Sequence, residues 1–576
     1  MKVLYILGII SICLLHPIKV LSSTSLIRSM DNQMLDDETH QRYQRILSAS
    51  GVVWGMSSRI DVQQIADNDT LILELDNERV VLHLTYRNKE MNCTYSHYSS
   101  PVGDEADISI LQDFIQGNIK TALGLYYLTS ISKEYVSIVK YESDIPEERE
   151  QMNSSHAEDS EENDLTEMAP IVPTTTPDIR VLFLYTNSAL NLVGSGYQNE
   201  VAMRTVVYTY INRANLSFSN SNINAHMSLA YLGSTSFNEN AHSWDDVLDY
   251  FTTPNDGYID EVHTLRNKYS ADVCVLFINK NDYCGEAEAI KADDDEAFCI
   301  VYPSYSCNYK YTAIHEIGHL VGCRHNYQVD VNLIPYRYGH GYYYYAENNP
   351  YASWRTIMAY DNACETGCQR ILYWSNPDVY YTGIPTGTSG IANNARVWNN
   401  RASTVSDFRD KENIILLTAS SNNTTALFQS YEARTSTTTN GGYAVQSGQV
   451  VDLAAGTEIR LKSNTHIKSG SSFRASLRSN AEGSNYPQFV RAKVENDVKI
   501  KEKQSILTIS PNPVCETLTV TTNEELKLIE LYNINGQCVL QTKELEIIVS
   551  RLPVGVYILR AKTEDGRLQQ SKFIKQ

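Results

Sequence analysis

The sequence predicts a chain of several domains, with an α+β region first, a central α/β domain next and all-β modules at the C-terminal end. Its 576 residues exceed what one core organises, because a domain averages roughly 100–200 residues. Helical and strand-like patterns are mixed up to residue 410, whereas short strands between Ser, Thr, Asn and Gly dominate afterwards. The hydrophobic share of 42% and the charged share of 20% are typical of folded proteins and exclude a disordered chain.

The charge balance and the N-terminus limit the partners and the compartment. Lys and Arg number 48 against 68 Asp and Glu, a net charge of −20, which argues against a nucleic-acid backbone as partner. Lys2 precedes an apolar run over residues 3–15, and Ser22 and Ser23 supply small residues. We interpret residues 1–22 as a cleaved signal peptide; an uncleaved anchor is the alternative. Elsewhere no stretch approaches about 18 apolar residues, so no stable membrane span is expected in the mature protein.

The cysteines agree with export. Of the 11 cysteines only Cys13 lies in the signal peptide, and disulfides persist in oxidising compartments. We therefore expect most of the others to be paired. Cys364 and Cys368 are close enough in sequence to close a small loop, whereas Cys274 lies in an apolar strand and is interpreted as a buried thiol.

The first region, residues 23–148, combines both kinds of element. Spacing typical of a helix covers residues 108–123, and alternating apolar residues predict strands over 70–75, 80–85 and 135–141. A segment rich in acidic residues, Pro and Thr follows at 149–177, and it contains no Lys or Arg after Arg149. Because such a segment cannot bury apolar surface, it predicts a solvated, protease-accessible linker.

The central domain, residues 178–410, alternates strands with helices, which is typical of a mixed α/β domain. The predicted strands are 180–185, 226–232 and 271–278, and the predicted helices are 200–214 and 309–321. The second helix is expected to stop at Gly322, because glycine tolerates the positive φ that ends a helix. Two all-β modules follow at 414–500 and 505–576, with turn residues between their short strands.

The most informative stretch is the run from His315 to His325. Residues i and i+4 of a helix lie one above the other, so His315 and His319 present two imidazoles to one point, as a Zn²⁺ site requires. Glu316 lies beside the first of them and reaches a water in the open metal position. Gly322 lets the chain turn, so that His325 supplies a third ligand. Three neutral nitrogens leave one position for water, which is characteristic of a catalytic zinc site.

A second element, Thr356-Ile357-Met358-Ala359-Tyr360, lies downstream of His325. With both elements, residues 178–410 resemble the bacterial reprolysin-like metzincin metallopeptidases, which carry HExxHxxGxxH followed by a Met-turn. The resemblance implies an α/β metzincin catalytic domain, a mixed sheet plus an active-site helix, with an α+β pro-domain and C-terminal all-β modules. It places Met358 under the zinc as an apolar floor. Tyr360 is then either a fifth ligand or oxyanion stabiliser, or a packed tyrosine.

The resemblance implies a secreted or cell-surface zinc endopeptidase that hydrolyses peptide bonds of extracellular proteins. Zinc lowers the pKa of its water and polarises the scissile carbonyl, and Glu316 takes the proton from that water and passes it to the leaving amine. Two alternatives are open: a surface adhesin or binding protein with a vestigial protease domain, and a narrow-specificity exopeptidase or processing peptidase. The intact Glu316 and histidines argue against the first. Where reprolysins usually place Asp after the third His, this chain has Asn326.

A peptidase with an open metal position needs to be blocked until export is complete. This makes 23–148 a pro-domain and 149–177 its activation linker, with a simple spacer as the alternative. Cys93 is the candidate latency switch, because a thiolate is a good zinc ligand. A disulfide from Cys93 to an odd cysteine of the catalytic domain is one alternative. A carboxylate on the zinc, such as that of Asp104 or Glu105, is another.

Two further metal roles are weighed from the residue types. His340 follows the zinc motif in a Tyr-rich loop and is either a fourth ligand or a turn residue. The acidic run Asp293-Asp294-Asp295-Glu296 either holds Ca²⁺ or is a solvated charge run, since it lacks EF-hand spacing.

The C-terminal modules bring two more resemblances. Residues 414–500 resemble short β-solenoid spacers of secreted bacterial proteins, with ligand binding as the alternative role. Residues 505–576 resemble a type IX secretion sorting domain, through Ser510-Pro511-Asn512-Pro513, Leu552-Pro553-Val554-Gly555 and the ending Lys572-Phe573-Ile574-Lys575. This resemblance implies the type IX machinery as a partner. It also implies passage through the periplasm to the surface or the medium of a Gram-negative bacterium.

Overall fold

The computed structural model describes residues 25–27, 35–49, 51–76, 78–90, 92–101, 103–142, 146, 176–347, 352–360, 364, 368–478, 507–522, 526–533, 538–563 and 568–576. The signal peptide expected at 1–22 and nearly all of the linker expected at 149–177 lie outside these residues. The chain divides into two compact units, Met1–Val494 and Glu495–Gln576. None of the helices described is long and apolar enough to cross a membrane.

The N-terminal region is built on one large sheet. Its strands are β1 (Ser25–Ile27), β2 (Val52–Arg59), β3 (Thr70–Leu75), β4 (Glu78–Glu90), β5 (Cys93–Ser99), β6 (Glu105–Leu111), β7 (Phe114–Thr121), β8 (Gly124–Ser130) and β9 (Tyr135–Tyr141), and its helices are α1 (Asp37–Leu47) and α2 (Val62–Asp67). The strand order is β1-β3-β4-β5-β6-β7-β8-β9-β2, and only the β1–β3 pair is parallel. Helix α1 packs Tyr43 and Ile46 against Tyr127 and Val139 of the sheet.

The helix expected over residues 108–123 is wrong, because this segment is the β6–β7 hairpin. Ile108 pairs with Gly117 and Leu111 with Phe114, and Gln112 makes the turn with φ 58°. Residues 106–111 are all buried, since β6 has the core of its own sheet on one face and the central domain on the other. A strand buried on both faces lacks the alternation that distinguishes a strand from a helix in the sequence.

The central domain has a mixed sheet with helices packed on it. Its main strands are β10 (Asp178–Tyr185), β11 (His226–Ser234), β12 (Val273–Phe277), β13 (Gly285–Ala287) and β14 (Phe298–Val301). Its helices are α3 (Asn187–Gly194), α4 (Asn199–Asn220), α5 (Trp244–Thr252), α6 (Glu261–Lys268), α7 (Tyr305–Tyr309), α8 (Thr312–Val321) and α9 (Asn394–Val405), with a 3-10 turn at Glu239–Ala241. Short strands follow α8: β15 (Tyr343–Tyr344), β16 (Trp354–Arg355), β17 (Gln369–Arg370), β18 (Tyr380–Tyr381) and β19 (Ile384–Pro385). Strands β14, β12, β10 and β11 are parallel neighbours, and β13 runs antiparallel to β14 at the edge beside α8.

Helix α8 carries the first two histidines of the motif, and helix α4 packs in the core of the same domain. Helix α4 is buried along most of its length, because it lies between the central sheet and the N-terminal sheet. The single helix expected over 309–321 is in fact two, α7 and α8, since Tyr311 between them adopts the left-handed conformation with φ 58°. Gly322 ends α8 with φ 120°, as the sequence predicts.

The next segment extends the central sheet. Its strands are β20 (Ile414–Leu417), β21 (Phe428–Ala433), β22 (Ser436–Thr439), β23 (Ala444–Val445), β24 (Val450–Ala455), β25 (Glu458–Leu461), β26 (His466–Ile467) and β27 (Ser472–Leu477). They stack in parallel in the manner of a β-solenoid, so that Phe428 pairs with Val450 and Val450 with Ser472. Strand β21 also pairs with β11, which gives the order β13-β14-β12-β10-β11-β21-β24-β27. Residues 414–478 therefore share a core with the catalytic region.

The C-terminal unit is all-β, as expected. Its strands are β28 (Leu507–Ser510), β29 (Thr517–Thr522), β30 (Leu526–Asn533), β31 (Cys538–Thr542), β32 (Glu546–Ile548), β33 (Gly555–Thr563) and β34 (Leu568–Lys575). They form a sheet β28-β29-β32 and a sheet β31-β30-β33-β34. Leu518 of the first sheet and Leu531, Leu559 and Phe573 of the second share one buried core, so the unit is a small sandwich.

Candidate metal centre and active site

Helix α8 is held at its N-terminal end by local contacts. Thr312 at its start donates its hydroxyl to the carbonyl of Cys307 at 2.8 Å. A disulfide joins Cys307 to Cys284, the residue directly before edge strand β13. All ten residues of α8 are buried, including His315, Glu316 and His319. The disulfide thus links the preceding helix α7 to the start of β13, and α8 is hydrogen-bonded to α7.

The three histidines converge as the spacing predicts. The Nε2 atoms of His315, His319 and His325 lie 3.0–3.3 Å from one another. Nitrogen ligands about 2.0–2.1 Å from a tetrahedral zinc lie about 3.3 Å apart, so the spacing fits that ion. Among the residues that the structure describes, this is the one group of three His, Cys, Asp or Glu side chains with the geometry to hold a metal.

The far sides of two of these rings fix their orientation. Nδ1 of His315 lies 2.8 Å from the carbonyl of Ile357, and Nδ1 of His319 lies 2.9 Å from the carbonyl of Cys323. A carbonyl accepts only from a protonated Nδ1, so both Nε2 atoms carry lone pairs directed at the common point. Such a donor set is suited to a cation and to no neutral group.

Glu316 lies beside the edge of the sheet. Its carboxylate is fully buried, and a Cβ placed on Gly285 of strand β13 would come within 2.4 Å of its Oε1 atom. The carboxylate therefore fits against the strand only because residue 285 lacks a side chain. The position of Gly285 opposite Glu316, 31 residues away along the chain, carries no signal in the sequence.

The Met-turn lies directly under the helix. Met358 is fully buried, and a Cβ on Gly318 would lie 2.8 Å from its Sδ atom and 2.8 Å from Trp374. The glycine between the first two histidines thus lets the methionine floor approach the metal centre. That Met358 forms the floor of a zinc site stays a prediction.

Asn326 connects the third ligand to the Met-turn. It is fully buried, and its Oδ1 atom accepts a hydrogen bond from the backbone N–H of Tyr360 at 3.0 Å. The ring of Tyr360 packs on His325 with 4.0 Å between the centroids. An amide therefore performs here a backbone-holding role that requires no negative charge.

His340 supports the site from outside the cluster of three. Its Nδ1 atom lies 2.8 Å from the carbonyl of His325, and burial lowers the pKa of the imidazole. Its ring belongs neither to the metal-holding group nor to a simple exposed turn. It orients the backbone of the third ligand.

The candidate latency residues do not meet the histidines. Cys93 lies on β5 in a buried cluster with Tyr95 and Leu111, apart from the metal-holding group. Within its own turn, the carboxylate of Asp104 accepts from the hydroxyl of Ser100, and the backbone N–H of Asp104 donates to that hydroxyl oxygen. Glu105 lies 3.9 Å from Lys120.

The acidic run does not form a calcium site in the part of the chain that the structure describes. Asp294 and Asp295 face solvent and lie 3.0 Å and 3.7 Å from the guanidinium of Arg409. Calcium sites are built from converging oxygen ligands, and no such acidic group is found among the described residues. The run is a solvated charge cluster with one basic partner.

The expectation that most cysteines are paired is wrong. The disulfides are Cys284–Cys307 and Cys364–Cys368, and the second closes the small loop predicted from the sequence. Six further cysteines lie outside both: Cys93, Cys274, Cys299, Cys323, Cys515 and Cys538. The first four are packed in the core, and burial raises the pKa of the Cys274 thiol to about 11. Buried cysteines of this kind pack as small apolar residues.

Comparison with known proteins finds two family matches in this chain and several relatives. Residues 175–375 match metallo-peptidase family M12, and residues 508–576 match a secretion system C-terminal sorting domain. A peptidyl-Asp metalloendopeptidase of Stenotrophomonas maltophilia is 36% identical over 51% of this chain and 68% of its own length. One from Xanthomonas campestris is 37% identical over 52% and 68%. Among solved structures, metalloproteinase-II from Bacteroides fragilis is 12% identical, with a TM-score of 0.30 over 45% of this chain and 81% of that one.

The chain belongs to metallo-peptidase family M12. It is a zinc metalloendopeptidase, as the sequence predicts. The sorting domain at the end of this M12 peptidase directs it to secretion or to the cell surface through the type IX system. The histidine triad supplies a set of side chains suited to the zinc that the family requires.

Proposed function

We propose that this M12 peptidase holds zinc with His315, His319 and His325 and uses Glu316 as general base to cleave extracellular proteins. The convergence of three Nε2 atoms beside a buried carboxylate carries the proposal. Both Nδ1 contacts that orient the rings are intact, which favours an enzyme over an adhesin with a vestigial site.

The chemistry follows from these positions. Bound zinc would supply a Lewis acid that polarises a carbonyl and lowers the pKa of water. Glu316 accepts the proton of the attacking water and donates it to the leaving amine. Because Glu316 lies against edge strand β13, a substrate that pairs with that strand as an added strand passes its backbone over the carboxylate.

Replacing Glu316 by Ala tests the assignment. We expect the variant to keep zinc and to lose casein cleavage by roughly 10²–10⁴-fold, the usual worth of a positioned general base. His319→Ala is the matched control, because it should lose zinc and activity together. Near wild-type proteolysis by Glu316→Ala would contradict the proposal. Zinc binding without proteolysis in the parent protein, after the linker is cut and residues 23–148 are removed, would favour the adhesin.

We further propose that the peptidase acts at aspartate, as the names of its relatives say of them. Arg355 and Arg370 are both almost fully buried, and both donate to the carbonyl of Ala359, at 2.6 Å and 3.1 Å. Two guanidinium groups behind the Met-turn create a positive potential that favours a substrate carboxylate. In a peptide library, we expect Asp to be preferred over Asn at the cleaved bond; equal rates with both would remove this specificity. Cleavage-site mass spectrometry on the same library separates an endopeptidase from an exopeptidase.

We also propose that residues 23–148 act as a pro-domain whose contacts keep the enzyme latent. Asp107 of β6 pairs at 2.7 Å with Arg213 of α4, and both side chains are buried. Arg213 in turn donates to the carbonyl of Asn308 in α7, and Tyr305 of α7 stacks on Tyr127 at 3.7 Å. The N-terminal sheet is therefore anchored to the two helices that precede and support the active-site helix.

The end of the pro-domain reaches the active-site edge. The carbonyl of Pro146 accepts a hydrogen bond from the N–H of Cys284, 2.9 Å away and next to Gly285. A chain bonded there competes with a substrate for the same edge strand. This contact favours obstruction of the cleft over a Cys93 thiolate as the basis of latency, and Cys93→Ala should then leave the uncut protein inactive.

For export, we propose a route through the periplasm of a Gram-negative bacterium to its surface or medium. The sorting-domain match over 508–576 supports it. Deleting residues 505–576 should trap the protein in the periplasm, and normal surface levels of the truncated protein would refute this.

A further inference from the structure

The loop after the third histidine exposes large apolar side chains to solvent. Five large apolar side chains are exposed, by 39% at Tyr327, 42% at Val329, 69% at Val331, 36% at Leu333 and 50% at Ile334. Of the polar residues between them, Asp330 and Asn332 are more buried, whereas Gln328 is exposed. We name residues 327–334 the apolar ridge. Scattered single apolar residues on a surface are ordinary, but a contiguous patch marks an interaction site.

The exposure of the ridge is fixed by its own polar contacts. Asp330 accepts from Nη1 of the buried Arg324 at 2.6 Å, and Arg324 also donates Nε to the carbonyl of Ile334. Asn332 donates its N–H to Asp330 at 3.2 Å and accepts from the N–H of Ile334 at 3.0 Å. Because the polar side chains are used inside the loop, the apolar ones remain directed to solvent.

The ridge is also held in a fixed position relative to the metal centre. The N–H groups of Val329 and Asp330 both donate to the carbonyl of Asn326, the residue after the third histidine. The ring of Tyr327 packs edge-on against His340 with 5.5 Å between centroids, and His340 contacts the carbonyl of His325 at 2.8 Å. A ligand bound on the ridge is therefore placed at a fixed distance from the reacting bond.

We propose that the apolar ridge is a docking surface for an extended segment of the polypeptide substrate that carries apolar side chains. The inference rests on the proposed peptidase function and deepens it. Over residues 330–333 the exposed Val331 and Leu333 alternate with the more buried Asp330 and Asn332, which matches the period of two in an extended peptide. Continuity with His325 identifies substrate as the occupant, because a bound substrate chain must leave the metal centre past this loop or opposite to it.

Two other occupants fit the ridge less well. An anionic membrane surface attracts Lys and Arg, and residues 326–336 contain neither, in a chain of net charge −20. A second copy of the chain would need about 20–30 residues on each side for a stable interface, and the ridge has eight. A peptide segment is the partner whose size and chemistry match.

The test compares a ridge variant with a control. The ridge variant carries Val329→Ser, Val331→Ser and Leu333→Ser; the control carries Ile414→Ser and Leu416→Ser, which are exposed by 65% and 54% outside the ridge. Both are made in the full chain with Glu316→Ala, and binding of a fluorescein-labelled peptide with alternating Val and Ser is followed by anisotropy. We expect the ridge variant to bind roughly tenfold more weakly than the control, because it loses three apolar contacts. Equal binding by both proteins would overturn the proposal.

Kinetics on the linker-cut full chain with Glu316 intact gives the second readout. Two substrate peptides contain the same short sequence around the cleaved bond, which we call the core. One of them is lengthened by a segment that contains Val and Leu. We expect the ridge variant to lose the preference for the extended peptide in kcat/KM while cleavage of the short core stays within about twofold. Loss of phosphatidylcholine vesicle binding, or dissociation of a dimer, without a peptide effect would overturn the proposal in favour of a lipid or a second copy. Ridge-dependent peptide binding in a protein that cleaves no peptide would refute the peptidase proposal and leave the ridge standing.

Discussion

The metal centre and the pro-domain interface are both buried and polar, but they are assembled over different distances along the chain. The three histidines lie between residues 315 and 325, on α8 and the turn after it. Asp107 and Arg213 are 106 residues apart; Asp107 lies on strand β6 of the N-terminal sheet and Arg213 on helix α4. A site encoded by local spacing is visible in the sequence, whereas a site made by two distant partners is not.

The two regions also differ in how their charge is balanced. The histidines present lone pairs to one point and need a cation from outside the chain. The Asp107 carboxylate is neutralised within the chain, by Arg213 together with His97 and Tyr95 at 2.8 Å and 2.7 Å. The first arrangement is therefore open to a ligand, and the second is neutralised by side chains of the chain itself.

Among the variants that test this difference between the two regions, Asp107→Asn should have the largest effect on stability. Removing one partner of a buried ion pair leaves the other uncompensated, which costs roughly 3–5 kcal/mol. We expect the free energy of unfolding of the uncut protein to fall by about this amount, measured by denaturant titration. After the linker is cut, the pro-domain should co-elute with the wild-type enzyme and separate from the variant, with activity appearing in the variant first.

The control is Asp113→Asn, because Asp113 and Lys133 form a solvent-exposed pair at 3.3 Å in the same region. Its loss should cost less than about 1 kcal/mol. Burial alone would raise the pKa of Asp107, but Arg213 and His97 outweigh it and hold that pKa well below its usual range. The stabilisation is then present above pH about 4 and lost as the pH falls further, so the difference between wild type and Asp107→Asn should shrink in acid. A constant difference down to pH 2 would contradict the role of the ion pair.

Gly285→Ala tests the contact between strand β13 and Glu316, which joins two parts of the active site that are distant in sequence. The added Cβ would meet Glu316 and Thr312, so the carboxylate must move from the edge strand. We expect kcat to fall roughly 100-fold, about 2.7 kcal/mol, with zinc content unchanged. Gly390→Ala is the control, since no atom lies within 4 Å of its new Cβ. An unchanged kcat would show that Glu316 acts from another position.

The sequence is sufficient for the parts of this site that depend on spacing. The histidines, the end of α8 at Gly322 and the Met-turn follow from i, i+4 geometry and a short motif. The break of the expected helix at Tyr311 could not be derived, because a left-handed Tyr is imposed by packing around α7 and α8. The prediction of a helix over residues 108–123, where the structure has the β6–β7 hairpin, failed for a related reason. Strand β6 is buried on both faces, so its sequence does not alternate between apolar and polar residues. The pairing of β11 with β21 has no sequence signal, since it joins segments almost 200 residues apart.

The smallest expected effect separates the two interpretations of Tyr360. Its ring packs on His325 and its N–H is held by Asn326, and Tyr360→Phe preserves both contacts while removing the hydroxyl. If the hydroxyl stabilises the oxyanion, kcat should fall roughly tenfold, about 1.4 kcal/mol, while KM and zinc content stay the same. Tyr342→Phe, near the Met-turn but bonded through its backbone to Thr356, serves as the control. A full kcat in Tyr360→Phe would assign the ring to packing alone, and a loss of zinc would make the hydroxyl a ligand.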